Sequence, residues 1–247
     1  MPSHRTSEGD PARTLALLWR EQPRPSRGPS PRLSVDAVVE AAVALADADG
    51  LDAVTMRAVA SRLGVSPMTL YGYVPGKSEL LDLMLDSLYL EMPRKPWGRR
   101  KWRSRLRAVA DGNRGLYEAH PWAASVSTAR PPLGPGQMAK YEHELSALEG
   151  VGLGDVEMDA ALTYLLAFVQ GVAVSAAAAA AAPEPDEEWW AAAGPLLERV
   201  MDPAAYPLAA RVGSAAGEAQ NAAYDADRAY GFGLERVLDG LAALIDR

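Results

Sequence analysis

Apolar residues recur at three- and four-residue intervals along most of this chain, and alternation of the kind a strand needs is nowhere sustained. The period predicts an all-α protein. Val35, Val38, Val39, Ala42 and Ala46 mark a first helix, with Ser34 as its cap, Asp36 in its first turn and Gly50 as its stop. Met56, Val59, Ala60 and Leu63 mark a second helix, capped by Thr55 and stopped by Gly64, where a left-handed residue is wanted. Ser66 and Pro67 open a third, about eight residues long, anchored by Leu70 and Val74 and closed by Pro75-Gly76. A fourth helix, Lys77 to Glu91, is apolar on most sides (Leu80, Leu81, Leu83, Met84, Leu85, Leu88) and is expected to lie between this module and the rest.

Pro93, Pro96 and Gly98 mark a boundary. Beyond it the spacing predicts helices over 101–119, 135–149, 155–181, 187–200 and 226–246, with 202–226 as a loop rich in Pro, Gly and Ala. Three units follow: a flexible basic arm (1–32), a helix-turn-helix domain (33–92) and a larger helical domain (93–247). Residues 160–182 carry no charge and reach membrane-span length, but alanine dominates and no basic cluster flanks them, which favours a buried helix.

The second and third helices with their tight turn make a unit that lays one helix in the major groove of DNA. Thr69, Tyr71 and Tyr73 are expected on the open or half-open side of that short helix, where tyrosines facing water would need a partner.

Charge sharpens this. The chain has net charge −7, but Lys and Arg exceed Asp and Glu by 17 to 12 over residues 1–107 and fall short by 8 to 20 over 108–247. A basic front and an acidic back suit a molecule that offers one face to phosphates. In the arm, which holds six arginines, Pro23, Pro25, Pro29 and Pro31 keep the second half extended, and the whole reads either as a tail with a short helix around Leu15–Trp19 or as a reach to the DNA backbone or minor groove. The run Arg94–Arg107 reads first as a solvated helix start and second as extra phosphate contact. The absence of cysteine and of a secretory pattern fits the cytoplasm.

Catalysis finds little support. His4, His120 and His143 are scattered, and no metal-ligand spacing, Gly-rich phosphate loop or nucleophile elbow occurs. No catalytic residue, metal or cofactor is expected. The competing reading is a helical small-molecule-binding or interaction protein without operator-specific DNA binding.

The residues Thr55-Met56-Arg57, Leu63-Gly64-Val65-Ser66, Thr69-Leu70-Tyr71 and Val74-Pro75-Gly76-Lys77 resemble the DNA-binding domain of the tetracycline-repressor (TetR) family. His120-Pro121-Trp122, Gly134-Pro135, Asp202-Pro203, Tyr206-Pro207 and Phe232 to Leu241 resemble, more loosely, the tetracycline-repressor type of C-terminal domain. The resemblance implies a homodimer that places its third helices in successive major grooves of a palindromic operator. It also implies a small, largely apolar effector whose binding moves the fourth helix and releases the DNA, with no membrane involved.

By position in that pattern, Arg57 reads a base or meets a phosphate. Thr69 meets a thymine methyl or a phosphate, and Tyr71 and Tyr73 offer hydroxyls to phosphates. Lys77 meets the backbone, and Thr55 serves as cap and phosphate ligand. Ser66, Pro67, Met68 and Gly72 complete the DNA-facing set. Gly72 departs from the family, whose members commonly carry a large or charged side chain there. Glycine makes no side-chain contact and weakens the helix by about 1 kcal/mol, so the helix is expected to settle on DNA. For the effector, Trp122, Met138, His143, Tyr164, Phe168 and Gln170 are the candidates, a mainly apolar set with a few polar handles. The dimer surface is expected from the 155–181 helix and the last helix.

Overall fold

The computed structural model describes residues 4–21, 33–220, 222 and 224–246. Among them every regular element is helical. The N-terminal head is built from α2 (Val35–Asp49), a single 3-10 turn (Leu51–Ala53), α3 (Met56–Arg62), α4 (Pro67–Tyr71) and α5 (Lys77–Glu91). Its boundaries follow local chemistry. The Ser34, Thr55 and Ser66 hydroxyls accept from the amides of Ala37, Ala58 and Thr69, satisfying first-turn donors that lack an intrahelical partner. Gly50 and Gly64 adopt positive φ (80° and 67°), which lets the chain leave α2 and α3 sharply.

Helix α4 is shorter than the spacing predicts. It ends at Tyr71 because Gly72, a weak helix former, sits at its C-cap with φ −70° and ψ −22°. Leu70 and Val74 still anchor the segment, both with no exposed surface.

The head shares one core with α1 (Pro11–Leu18), whose Leu17 and Leu18 are buried in it. Residues 4–21 were expected within a mobile arm. They pack instead, because Leu17 and Leu18, seven and eight residues after the Asp10 cap, give α1 a face to bury against α5. The rest of that expected arm, 22–32, lies outside the described residues.

The larger part comprises α6 (Trp102–Ala119), α7 (Pro121–Ala124), α8 (Pro135–Leu145), α9 (Asp155–Ala180), α10 (Asp186–Val200), α11 (Pro207–Gln220) and α12 (Ala226–Ile245). Its core lies where α6, α9 and α12 meet, around Leu106, Leu162, Leu165, Val169, Leu234 and Leu238. The segment 202–226, expected as a loop, contains α11. Its glycines do not break the helix: Gly217 is where the ring of Trp190 from α10 lies, and a Cβ there would come within 2.8 Å of it.

Helix α9 is long and apolar enough to cross a membrane (mean hydropathy 1.7). α6, α7, α8 and α12 pack along it, yet only Ala161, Leu162, Leu165 and Val169 are buried. The expectation of a buried helix therefore holds for one face only within a single chain. The other face leaves Val156, Tyr164 and Val174 open, and α12 leaves Phe232 open. The basic run of 94–107 is partly consumed inside the chain, while Lys95, Arg99, Arg100 and Lys101 stay exposed. Arg103 and Arg107 bind Glu235, Arg103 also binds Asp239, and Arg94 donates to the carbonyls of Tyr89 and Leu90.

Candidate DNA-reading head and effector cavity

The exposed surface of the head centres on α4. Met68 is 82% exposed and Tyr71 45% exposed, and Ser66, Pro67, Thr69 and Gly72 are also open. Arg57 lies open one residue past the start of α3. Three expected contacts look different in the structure. The Thr69 hydroxyl is paired with that of Ser66 at 2.9 Å, so its methyl is the freer contact. Tyr73 is half-buried against the core, leaving Tyr71 as the more open tyrosine. The Lys77 ammonium donates to the Leu51 carbonyl at 3.4 Å, which ties the start of α5 to the turn before α3. Thr55 is exposed and serves as a cap.

Helix α5 carries the head's link to the larger part. Glu79, Asp82 and Asp86 recur at helical spacing and all three are buried. Both Asp86 oxygens accept amides from the first turn of α8, Gly136 at 3.1 Å and Gln137 at 2.8 Å. Burial nevertheless raises the Asp86 pKa above the ordinary carboxylate range, the amides working the other way.

A cavity of about 960 Å³ opens beside α8, with Tyr89 of α5 also in its lining. Leu162, Leu166, Ala167 and Val126 give it apolar walls, and Ser125–Ala129, Pro131 and Leu133 form one side. Asn113, Tyr117, Lys140 and Gln170 are among its polar lining groups. Lys140 and Glu144 form a buried pair at 2.7 Å, and Asn113 donates to the other Glu144 oxygen at 2.6 Å. The hydroxyls of Tyr89 and Tyr117 have no hydrogen-bond partner among the described residues, and burial raises both pKa values, that of Tyr117 to about 12. Both therefore remain protonated donors at neutral pH. At the rim the Tyr141 hydroxyl donates to Asp159 at 2.7 Å.

Only Met138 and Gln170 of the six effector candidates line this cavity. The Gln170 amide donates to the carbonyls of Ala124 and Val126. Trp122 is buried in the head-side core and donates to Asp47. His143 stacks on Trp97 at 4.4 Å, and burial lowers its pKa. Phe168 stacks on Tyr230 over Gly233. Tyr164 points outward, 57% exposed. The residues missed, Asn113, Tyr117 and Lys140, lie in polar stretches of α6 and α8. The spacing Lys140-x-x-x-Glu144, which looks like an ordinary surface pair, was the one available signal.

Comparison with known proteins agrees with this geometry. Residues 38–84 match the family model "Bacterial regulatory proteins, tetR family", and residues 93–245 match "Tetracyclin repressor-like, C-terminal domain". The HTH-type transcriptional repressor DrrR1 of Streptomyces coeruleorubidus is 43% identical over 97% of this chain and 88% of its own length. The tetracycline repressor class E of Escherichia coli is 25% identical over 87% of this chain and 93% of its own. The crystal structure of ActR from Streptomyces coelicolor in complex with actinorhodin aligns with a TM-score of 0.71 and 27% identity, covering 85% of this chain and 96% of ActR. These relatives are regulators rather than enzymes. The chain belongs to the TetR family of bacterial transcriptional regulators.

Proposed function

We propose that the protein is a ligand-responsive repressor that reads its operator with α4 and the start of α3, and releases it when a small molecule fills the cavity beside α8. The observation that carries this reading is the buried Asp86 carboxylate, which joins α5 of the head to α8, a wall of the cavity. A ligand that displaces α8 by a fraction of an ångström cannot leave α5 where it was, because packed interfaces do not deform smoothly.

On this reading Arg57, Met68, Tyr71 and the Thr69 methyl face bases or sugars, and Thr55, Ser66, Tyr73 and Lys77 lie near phosphates. The effector has an apolar body that fits the Leu162–Leu166 wall. It carries acceptor oxygens for the Tyr89 and Tyr117 hydroxyls, because a ligand that left those donors unpaired would lose affinity. Actinorhodin, which ActR binds in its crystal structure, is a reasonable first compound to test.

Two copies pair through the open faces of α9 and α12, where Val156, Tyr164, Val174 and Phe232 otherwise meet water. The protein works where the DNA is, in the cytoplasm. Selection of bound fragments from random or genomic DNA, followed by gel-shift of the enriched sequence, tests the reading. A recurrent inverted repeat supports it, and the absence of any enriched motif contradicts it.

A further inference from the structure

Residues 4–20 bond on one side to the cavity wall and on the other to the reading head. On the wall side, Arg5 and Ser127 form a parallel bridge. The Thr6 hydroxyl, almost fully buried, donates to the carbonyls of Ser127 (3.2 Å) and Arg130 (2.5 Å). The Ser7 hydroxyl donates to Pro131, and the Trp19 indole donates to Leu133 at 2.8 Å. Ser127, Pro131 and Leu133 all line the cavity.

On the head side, His4 meets Asp52 at 2.9 Å, in the same turn whose Leu51 carbonyl holds Lys77. Arg20 binds Asp36 in the first turn of α2 through Nε and Nη2, at 3.1 and 2.6 Å. The Ser7 amide donates to Asp82 on α5 at 2.9 Å, and the other Asp82 oxygen is buried without a partner. Leu17 and Leu18 sit in the head core.

We propose that residues 4–20 are a coupling strap, a second mechanical route from the cavity wall at 125–133 to the head, parallel to the Asp86–α8 grip. The inference rests on the repressor reading and concerns how that cavity is wired. The surface pairs alone are weak ties. The buried Thr6, the buried leucines and the partly satisfied Asp82 make the strap's seat all-or-none rather than elastic, which is what transmission between two sites needs. Asp82 also gives the strap a reason to leave: its free oxygen is desolvated while the strap is seated and becomes hydrated when the strap lifts.

Coupling is reciprocal, so the strap is testable with DNA alone. Hydrogen exchange is followed at residues 125–133 of the full chain, with and without a selected operator duplex. The wild type should change its exchange there by about fivefold or more on binding the duplex. The Thr6→Val/Ser7→Ala/Trp19→Phe variant, which removes the strap's side-chain bonds to the wall and leaves Leu17, Leu18 and the backbone bridge of Arg5 to Ser127 in place, should bind the duplex equally well and lose most of that change. Three results overturn the strap: the variant keeps the full change, the variant loses operator binding, or the wild type binds with no change at 125–133. A wild type that binds no selected duplex overturns instead the repressor reading beneath it.

Discussion

Gly136 sits against the backbone of Asp86 so closely that a Cβ on it would fall 1.9 Å from the Asp86 carbonyl oxygen. The same two residues share a hydrogen bond from the Gly136 amide to the Asp86 carboxylate. Helices α5 and α8 therefore touch backbone to backbone at the point where head and effector domain meet. Because the obstructing atom belongs to the main chain, Gly136→Ala has to push the helices apart. The expected cost is about 1–3 kcal/mol of stability, as for other overpacked sites. Thermal unfolding measures that cost, and operator titration with and without effector should show weakened release. Wild-type stability together with wild-type release would remove α5–α8 contact from the mechanism.

Arg57→Ala should weaken operator binding by about tenfold or more, the worth of one good base contact, while leaving the dimer intact. Lys77→Ala should weaken all DNA sequences alike and lower the salt slope by about 1. Because the Lys77 ammonium also holds the Leu51 carbonyl, thermal unfolding run alongside separates lost phosphate contact from a loosened head. Fluorescence anisotropy at several salt concentrations distinguishes the two residues.

The buried pair on α8 invites a sharper substitution test. Lys140→Met leaves Glu144 charged and almost fully buried with Asn113 alone, which should cost about 3–5 kcal/mol. Lys140→Met/Glu144→Leu removes both charges and should recover most of that loss. Denaturant unfolding reads both variants. Equal stability of the single and double variants would show that the pair is solvated rather than buried.

Asp82 predicts a pH dependence. Burial, opposed by the Ser7 amide and reinforced by Glu79, Asp86 and Glu8, raises its pKa from 3.8 to about 6. A carboxylate whose folded pKa lies above its unfolded value holds its proton more tightly in the native state. Its contribution is therefore fully present below about pH 4 and lost as pH rises through 6. Relative to Asp82→Asn, which keeps an acceptor for Ser7, the wild type should lose melting temperature between pH 4 and pH 7. Asp86, also shifted upward, is coupled to Asp82 through charge repulsion, so the difference between the two proteins reads the pair. Parallel melting curves across that range would show that Asp82 is hydrated.

The head was readable because local chemistry decides it: Ser34, Thr55 and Ser66 cap, Gly50 and Gly64 turn, and the apolar spacing of α2 and α3 leaves one way to bury them. The end of α4 was missed because a glycine at Gly72 stops a short helix as readily as it weakens a longer one. The cavity was mostly illegible. Trp122, His143 and Phe168 are large and apolar or aromatic, which makes them core residues as readily as cavity residues, and here core packing claims them. The residues that do face the cavity, Asn113, Tyr117 and Lys140, are polar on helices whose outer faces are also polar. Only the tertiary arrangement of α6, α8 and α9 turns them inward. The docking of residues 4–21 was hidden for a similar reason: Thr6 and Ser7 bond to carbonyls more than a hundred residues away, which no local period records.

The central claim is that two copies present α4 to one duplex. Sedimentation equilibrium of the purified protein with its selected operator tests it most directly. The account predicts two chains on a duplex with two half-sites about 34 Å apart or a multiple of that, and loss of that complex when one half-site is scrambled. A single chain per duplex, or a complex indifferent to scrambling, would contradict it.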